Sequence, residues 1–261
     1  MASSKRVLHN LLFHFGGYRI SREANRLLYT PQRSEQDVSG FEDETDQTAK
    51  GTHANKVEIA GVPTGELELE LFTQLLASAD RSLTACLRSG SAKGAAPVGS
   101  ETLTLLVDVS GAPVGGDRNT PGSFTASLFT NYQMYYGALL YNDVGGAGTT
   151  AAGAKAGYAA GALGAGQVLA WDIAVLEPPG IGGTGGPQAT ITLESDVDNT
   201  WAAPATRLSA SVFAAPGSQL LTLDGDTDPV TDTWWRINVT GLTGTDPVVY
   251  LLASLTITTK I

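Results

Sequence analysis

From residue 167 to the C-terminus the chain is cut into short apolar runs by clusters of turn-forming residues, and this punctuation limits the fold more than any other feature. The runs lie at 168–176, 189–194, 208–213, 234–239 and 248–258; Pro, Gly and Asp clusters at 178–187, 196–204, 216–219, 224–229 and 241–247 separate them. Runs this short, bounded by turn signals at this spacing, predict a β-sandwich or barrel. Earlier in the chain, 53–59 and 66–71 alternate. Glu66, Glu68 and Glu70 fall on one face of a strand and Leu67, Leu69 and Leu71 on the other, the period of two that a half-buried strand requires. The turn at 61–65 joins the two runs into a hairpin, and further strands are expected at 102–109 and 123–140.

The remaining segments differ in kind. Phe72, Leu75, Leu76, Ala79 and Leu83 recur at helical spacing, so one short amphipathic helix is expected near 72–80; residues 83–88 either continue it or begin a strand. Residues 7–28 read as an N-terminal arm leading into a strand. Between 30 and 50, Glu35, Asp37, Glu42, Asp43, Glu44 and Asp46 crowd together with few apolar residues, which predicts a long solvated loop. Residues 145–166 are nearly all Gly and Ala and read as a flexible or closely packed loop.

Charge narrows the function classes. Lys and Arg number 16 against 26 Asp and Glu, a net charge of −10. That balance argues against conventional nucleic-acid binding, which draws its affinity from cations displacing counterions; an acidic wall past which DNA slides remains compatible. The single cysteine, Cys86, excludes an internal disulfide and a cysteine-based zinc site. Neither a signal peptide nor a membrane span is expected.

Each apparent chemical motif lacks a structural requirement. Gly146–Ala151 matches a dinucleotide-binding fingerprint, with Asp172 at the distance of a ribose-binding acid, but five glycines between 153 and 166 oppose the helix that would hold the pyrophosphate. Asp224, Asp226 and Asp228 begin like a calcium loop, yet Pro229 and Trp235 stand where Gly and a bidentate Glu belong; a polar turn is expected. Glu194, Asp196 and Asp198 alternate at a strand end and read as a solvated edge. No nucleophile elbow exists. A buried His–acid pair would need His9, His14 or His53, all in expected arm or loop. No enzyme activity, cofactor or metal is expected. Trp171, Trp201, Trp234 and Trp235 could form a carbohydrate platform, but aromatics in strands more often build the core. Trp234 and Trp235 face opposite sides of a strand, so one packs outside the core, and Trp235 is assigned to a subunit interface.

Three passages resemble the major tail tube proteins of long-tailed (siphovirus-type) bacteriophages. They are 18–25 followed by 37–43 (Asp-Val-Ser-Gly-Phe-Glu-Asp) and Gly51; 61–76; and 190–213 followed by 230–236 and the closing strand 248–257. The resemblance implies a mainly β subunit over 1–261, a tail-tube-type β-sandwich or barrel with one short flanking helix and long loops. Such subunits form rings, usually six-fold or pseudo-six-fold, whose inner strands line the channel for phage DNA. It further implies an arm near 1–15, a stacking loop at 34–53 and a C-terminal β part over 167–261. Asp37, Phe41, Glu42 and Asp43 would be ring-junction residues, and Glu66, Glu68 and Glu70 a channel-facing acidic row. The implied partners are other copies of the chain, tape measure and tail terminator or baseplate proteins, and DNA passing without specific binding. The implied location is the virion tail, assembled in the host cytoplasm without a membrane anchor. A capsid decoration or baseplate protein, and a carbohydrate- or receptor-binding module, are the alternatives.

Overall fold

The computed structural model describes residues 12–20, 24–30, 33–37, 48–53, 55–62, 81–87, 96–111, 114–115, 123–130, 134–143, 146–177 and 181–260. These residues hold eighteen β-strands, numbered β1 to β18 in chain order, and no α-helix. The chain divides into two compact units, one of Met1–Ser21, Arg81–Thr104 and Met134–Ile261, the other of Arg22–Asp80 and Leu105–Gln133.

The first unit holds two sheets. One contains β1 (Leu12–Phe15), β6 (Arg81–Cys86), the start of β7 (Glu101–Gly111), β10 (Tyr135–Asn142), β18 (Leu251–Thr259), β13 (Gln167–Val175) and β16 (Gly217–Asp224), each hydrogen-bonded to the next. This sheet curls until its ends meet. Ser82 of β6 donates to Ser218 of β16 at 2.7 Å, and Gly17, just after β1, lies against the backbone of Gly217. Across the same closure Glu177 N–H donates to Gly17 O and Arg19 N–H to Glu177 O.

The second sheet pairs β14 (Ile181–Asp196) with β17 (Trp234–Val249) along their whole length, with β15 (Ala205–Ser209) on one edge. On the other edge lie β11 (Gly153–Ala154) and β12 (Tyr158–Ala159). Alternation in β13 and β18 divides their residues between two cores. Leu169, Trp171, Ile173, Val175, Leu251, Ala253 and Leu255 pack with Ile191, Leu193, Trp235, Ile237 and Val239 of the second sheet. Ala174 and Leu252 turn the other way, toward Leu12, Cys86, Leu139 and Leu176. That second cluster fills part of the inside of the curled sheet.

The second unit pairs β2 (Ala24–Thr30), β5 (Asn55–Gly61), β9 (Ser123–Thr130) and the later part of β7 in that order, with β8 (Val114–Gly115) beside β9. Val57, Ile59, Leu105, Val107, Val109, Ala126 and Leu128 are buried, while Lys56, Glu58 and Ser127 are not. The remaining pair is β3 (Arg33–Asp37) with β4 (Thr48–His53).

Several expectations are corrected here. Residues 34–53 are not wholly loop, because both ends pair as a two-stranded ribbon. The arm is not free to its end: Leu12–Phe15 is a buried strand paired with β6. The expected strand 123–140 is two strands, β9 and β10. Of the two readings of 83–88, the strand is the one found as far as Cys86, within Arg81–Cys86. The turn clusters at 178–187 and 241–247 lie largely inside β14 and β17, which keep pairing through bulges. The expected turn clusters 216–219 and 224–229 overlap the two ends of strand β16. The helix near 72–80 and the strand bearing Glu66, Glu68 and Glu70 fall outside the described residues.

Candidate functional site

The most concentrated polar chemistry lies inside the curled sheet. His14 on β1 and Asp172 on β13 are 0% and 1% exposed, and His14 Nε2 lies 3.0 Å from Asp172 Oδ2. Thr84 on β6 donates to the same oxygen at 2.8 Å. Its only proton thus committed, Thr84 accepts from Thr104 at 2.8 Å, and Thr104 in turn accepts from Ser254 at 2.9 Å. Five strands therefore send one side chain each into a chain of hydrogen bonds polarised toward a single carboxylate. With Asp172 as acceptor at both contacts, His14 carries its hydrogen on Nε2. Asp172 is also close enough to act on Cys86, whose thiol is pushed up to about 12 by burial and then by the Asp172 charge. Cys86 is an inert core residue.

The structure thus overturns the placement of His14 in an arm: the His–acid pair exists. Both members are sealed, however, and so are Thr84, Thr104 and Ser254. Nucleophilic or acid–base chemistry needs a substrate atom within hydrogen-bond reach of such a pair, and burial denies that. His14 Nδ1 and Asp172 Oδ1 have no hydrogen-bond partner among the described residues. Asp172 is a strand residue of the core, and Gly146–Ala151 opens no helix, so the dinucleotide reading has no frame.

The acids at the end of β14 are not a solvated edge. Glu194 is 7% exposed and Asp196 4%. Arg236 reaches Glu194 Oε2 with Nε at 2.9 Å and Nη2 at 2.8 Å, and Asn238 donates to Oε1 at 2.6 Å. Asp196 accepts from the backbone N–H of Val197 and Ala203. Asp198 alone is exposed, and its Thr200 partners hold it below the usual carboxylate range. Nearby, Ser195 and Arg207 bind Asp232 at 2.6 and 2.8 Å; the Ser195 hydroxyl, with Arg207 behind it, lowers that carboxyl too. In the turn after β16, Lys260 pairs with both Asp224 and Asp226 and lowers both carboxyls.

The four tryptophans divide. Trp171 and Trp235 are fully buried in one core, so Trp235 is corrected from an interface residue to a core residue: its indole N–H donates to Gly161 O at 2.7 Å. Trp234, its neighbour on the opposite face, and Trp201 are partly exposed. Trp201 stacks over the Arg236 guanidinium at 4.1 Å. Of the expected ring-junction residues, Asp37 ends β3, and Phe41, Glu42 and Asp43 lie outside the described residues. Sequence reading missed the Thr84–Thr104–Ser254 chain. The available signal was a polar residue at an inward position of several strands, Asp172 within an otherwise apolar run above all.

No protein-family model and no curated protein matches the chain. Among solved structures, it is similar to a chain of a native gene transfer agent virion (10% identity, 49% of this chain and 95% of that chain, TM-score 0.33). It is also similar to a chain in the tail of an empty gene transfer agent particle with C6 symmetry (10% identity, 44% and 81%, TM-score 0.31). A third is the SPP1 Dit protein, described as a hub of the adsorption apparatus of phages infecting Gram-positive hosts (11% identity, 95% and 99%, TM-score 0.32). TM-scores of 0.31–0.33 are too low for these likenesses to fix a fold or a role.

Proposed function

We propose that the chain is a structural subunit of a phage tail, a tail tube protein that assembles with copies of itself into stacked rings. The observation that carries the reading is the way unit one uses its polar side chains. His14, Asp172, Glu194, Asp196, Arg236 and Asp232 all point at partners within the same chain. What remains outward includes the Gly- and Ala-rich stretch 151–162 and single apolar residues such as Tyr136, Val197 and Val212, beside acids tied to neighbours of the same chain. The likeness of 18–25, 37–43, 61–76, 190–213, 230–236 and 248–257 to tail tube proteins supports the same reading. On it, residues 34–53 with Asp37, Phe41, Glu42 and Asp43 stack one ring on the next, and Glu66, Glu68 and Glu70 face the channel. DNA then passes an acidic wall that repels phosphate.

Sedimentation of the purified chain at rising concentration tests the assembly. The reading expects discrete species at ring multiples of the 27.1 kDa subunit; a monomer at every concentration would contradict it. For the channel row, replacing the three glutamates by Lys in a phage should slow genome ejection, and normal ejection would remove them from the channel.

A further inference from the structure

Strands β15 and β16 are edge strands of the two sheets of unit one. Between β15 and the end of β16 opens a cavity of about 220 Å³, lined by Thr206, Arg207, Leu223, Asp228, Pro229 and Val230. Val230 belongs to the main core and Leu223 packs against it, so part of the wall is apolar and fixed. The volume lies below the range of about 300–1,000 Å³ that drug-sized ligands occupy. An occupant here is a small molecule.

Two opposite charges line this cavity without pairing with each other. Arg207 is held from behind: its Nε donates to Ser195 at 2.7 Å and its Nη2 to Asp232 at 2.8 Å, and both of those residues are buried. These bonds occupy one edge of the guanidinium. The other edge, with Nη1, bonds no described residue. A donor fixed in this way loses little freedom when it meets an acceptor. Asp228, exposed in the turn before Pro229, accepts from the Thr227 hydroxyl at 3.2 Å and pairs with no Lys or Arg among the described residues.

The pair selects the chemistry of the occupant. An anion would suit the free guanidinium edge but meet the unpaired carboxylate of Asp228. A cation would suit Asp228 and leave the guanidinium edge without an acceptor. Hydroxyl groups both donate and accept, so two of them on one neutral molecule satisfy both sides. We propose that the cavity binds a neutral polyol the size of one sugar residue. One hydroxyl accepts from Arg207 and another donates to Asp228, while the carbon skeleton rests on Leu223, Pro229 and Val230. The site lies within unit one and does not rest on the assembly reading.

Saturation-transfer NMR on the purified chain tests it. The neutral probes are glucose, galactose, mannose and N-acetylglucosamine; glucuronate and glucosamine are the anionic and cationic controls. At least one neutral sugar should bind with about millimolar affinity, as suits a ligand of this size, and both charged controls more weakly. Asp228→Ala alters only an exposed turn residue and should weaken that binding about tenfold or more, the effect of losing a hydrogen bond to a charged group. Arg207→Lys keeps a cation beside Asp232 but removes the free guanidinium edge, and should weaken it similarly. Silence from all four neutral sugars overturns the proposal, as does equal binding by wild type and Asp228→Ala. Tighter binding of either charged control overturns the assignment of a neutral ligand.

Discussion

Asp172 shows how one buried carboxylate can organise several strands. Its Oδ2 accepts from His14 and Thr84, and Thr104 and Ser254 extend the same polarity. Removing one partner strands the others without solvent, so Asp172→Ala should cost about 3–5 kcal/mol in urea unfolding. A loss below about 1 kcal/mol, the size of one ordinary hydrogen bond, would mean that the network contributes little. Asp143 behaves differently. It accepts from Thr149 and from Leu251 N–H, and burial raises its carboxyl above the usual range despite those bonds. A raised acid in the folded state means that the neutral form is favoured there. Its stabilising contribution is therefore complete below the ordinary carboxylate range and is lost as pH rises through the raised value. Asp143→Asn should gain stability over the wild type as pH rises from that range to neutrality; a pH-independent difference would refute the assignment. Cys86, with its thiol near about 12, should resist maleimide in the folded chain and react once the chain is unfolded in denaturant.

At the scale of elements, short apolar runs bounded by turn residues are the guide that holds. β7, β13 and β18 stand close to their expected positions because each has a buried face whose apolar residues recur at every second position. β16 was missed since Ser218, Gln219 and its flanking Gly and Asp residues look like turn material; only pairing with β13 makes it a strand. The runs 178–187 and 241–247 misled for the same reason: their glycines and prolines serve bulges inside a long ladder rather than turns. His14 and Asp172 were both visible as residues, but 158 positions separate them, and no local pattern reports a closure between β1 and β13. The Gly/Ala segment was half legible. Close packing was one of its two expected forms, while its role as an edge strand depends on β17. Gly157→Ala tests that packing: its Cβ would meet the Trp201 ring, an overpacking expected to cost about 1–3 kcal/mol in thermal or urea unfolding. A neutral substitution would mean that the ring is not held there.

Among the described residues of unit one, acids are paired internally in the core and lie outward at its turns. Glu194, Asp232 and Asp172 are buried with partners, whereas Asp224 is half-exposed and Asp226 exposed, both tied to Lys260. A chain with a net charge of −10 repels its own copies at long range. On the proposed function, assembly relies on short-range backbone pairing and packing and should strengthen as salt screens that repulsion. Negative-stain imaging of the purified chain tests the account most directly. Rings or tubes of uniform bore are the predicted result, and dispersed monomers that bind glycans instead would contradict it.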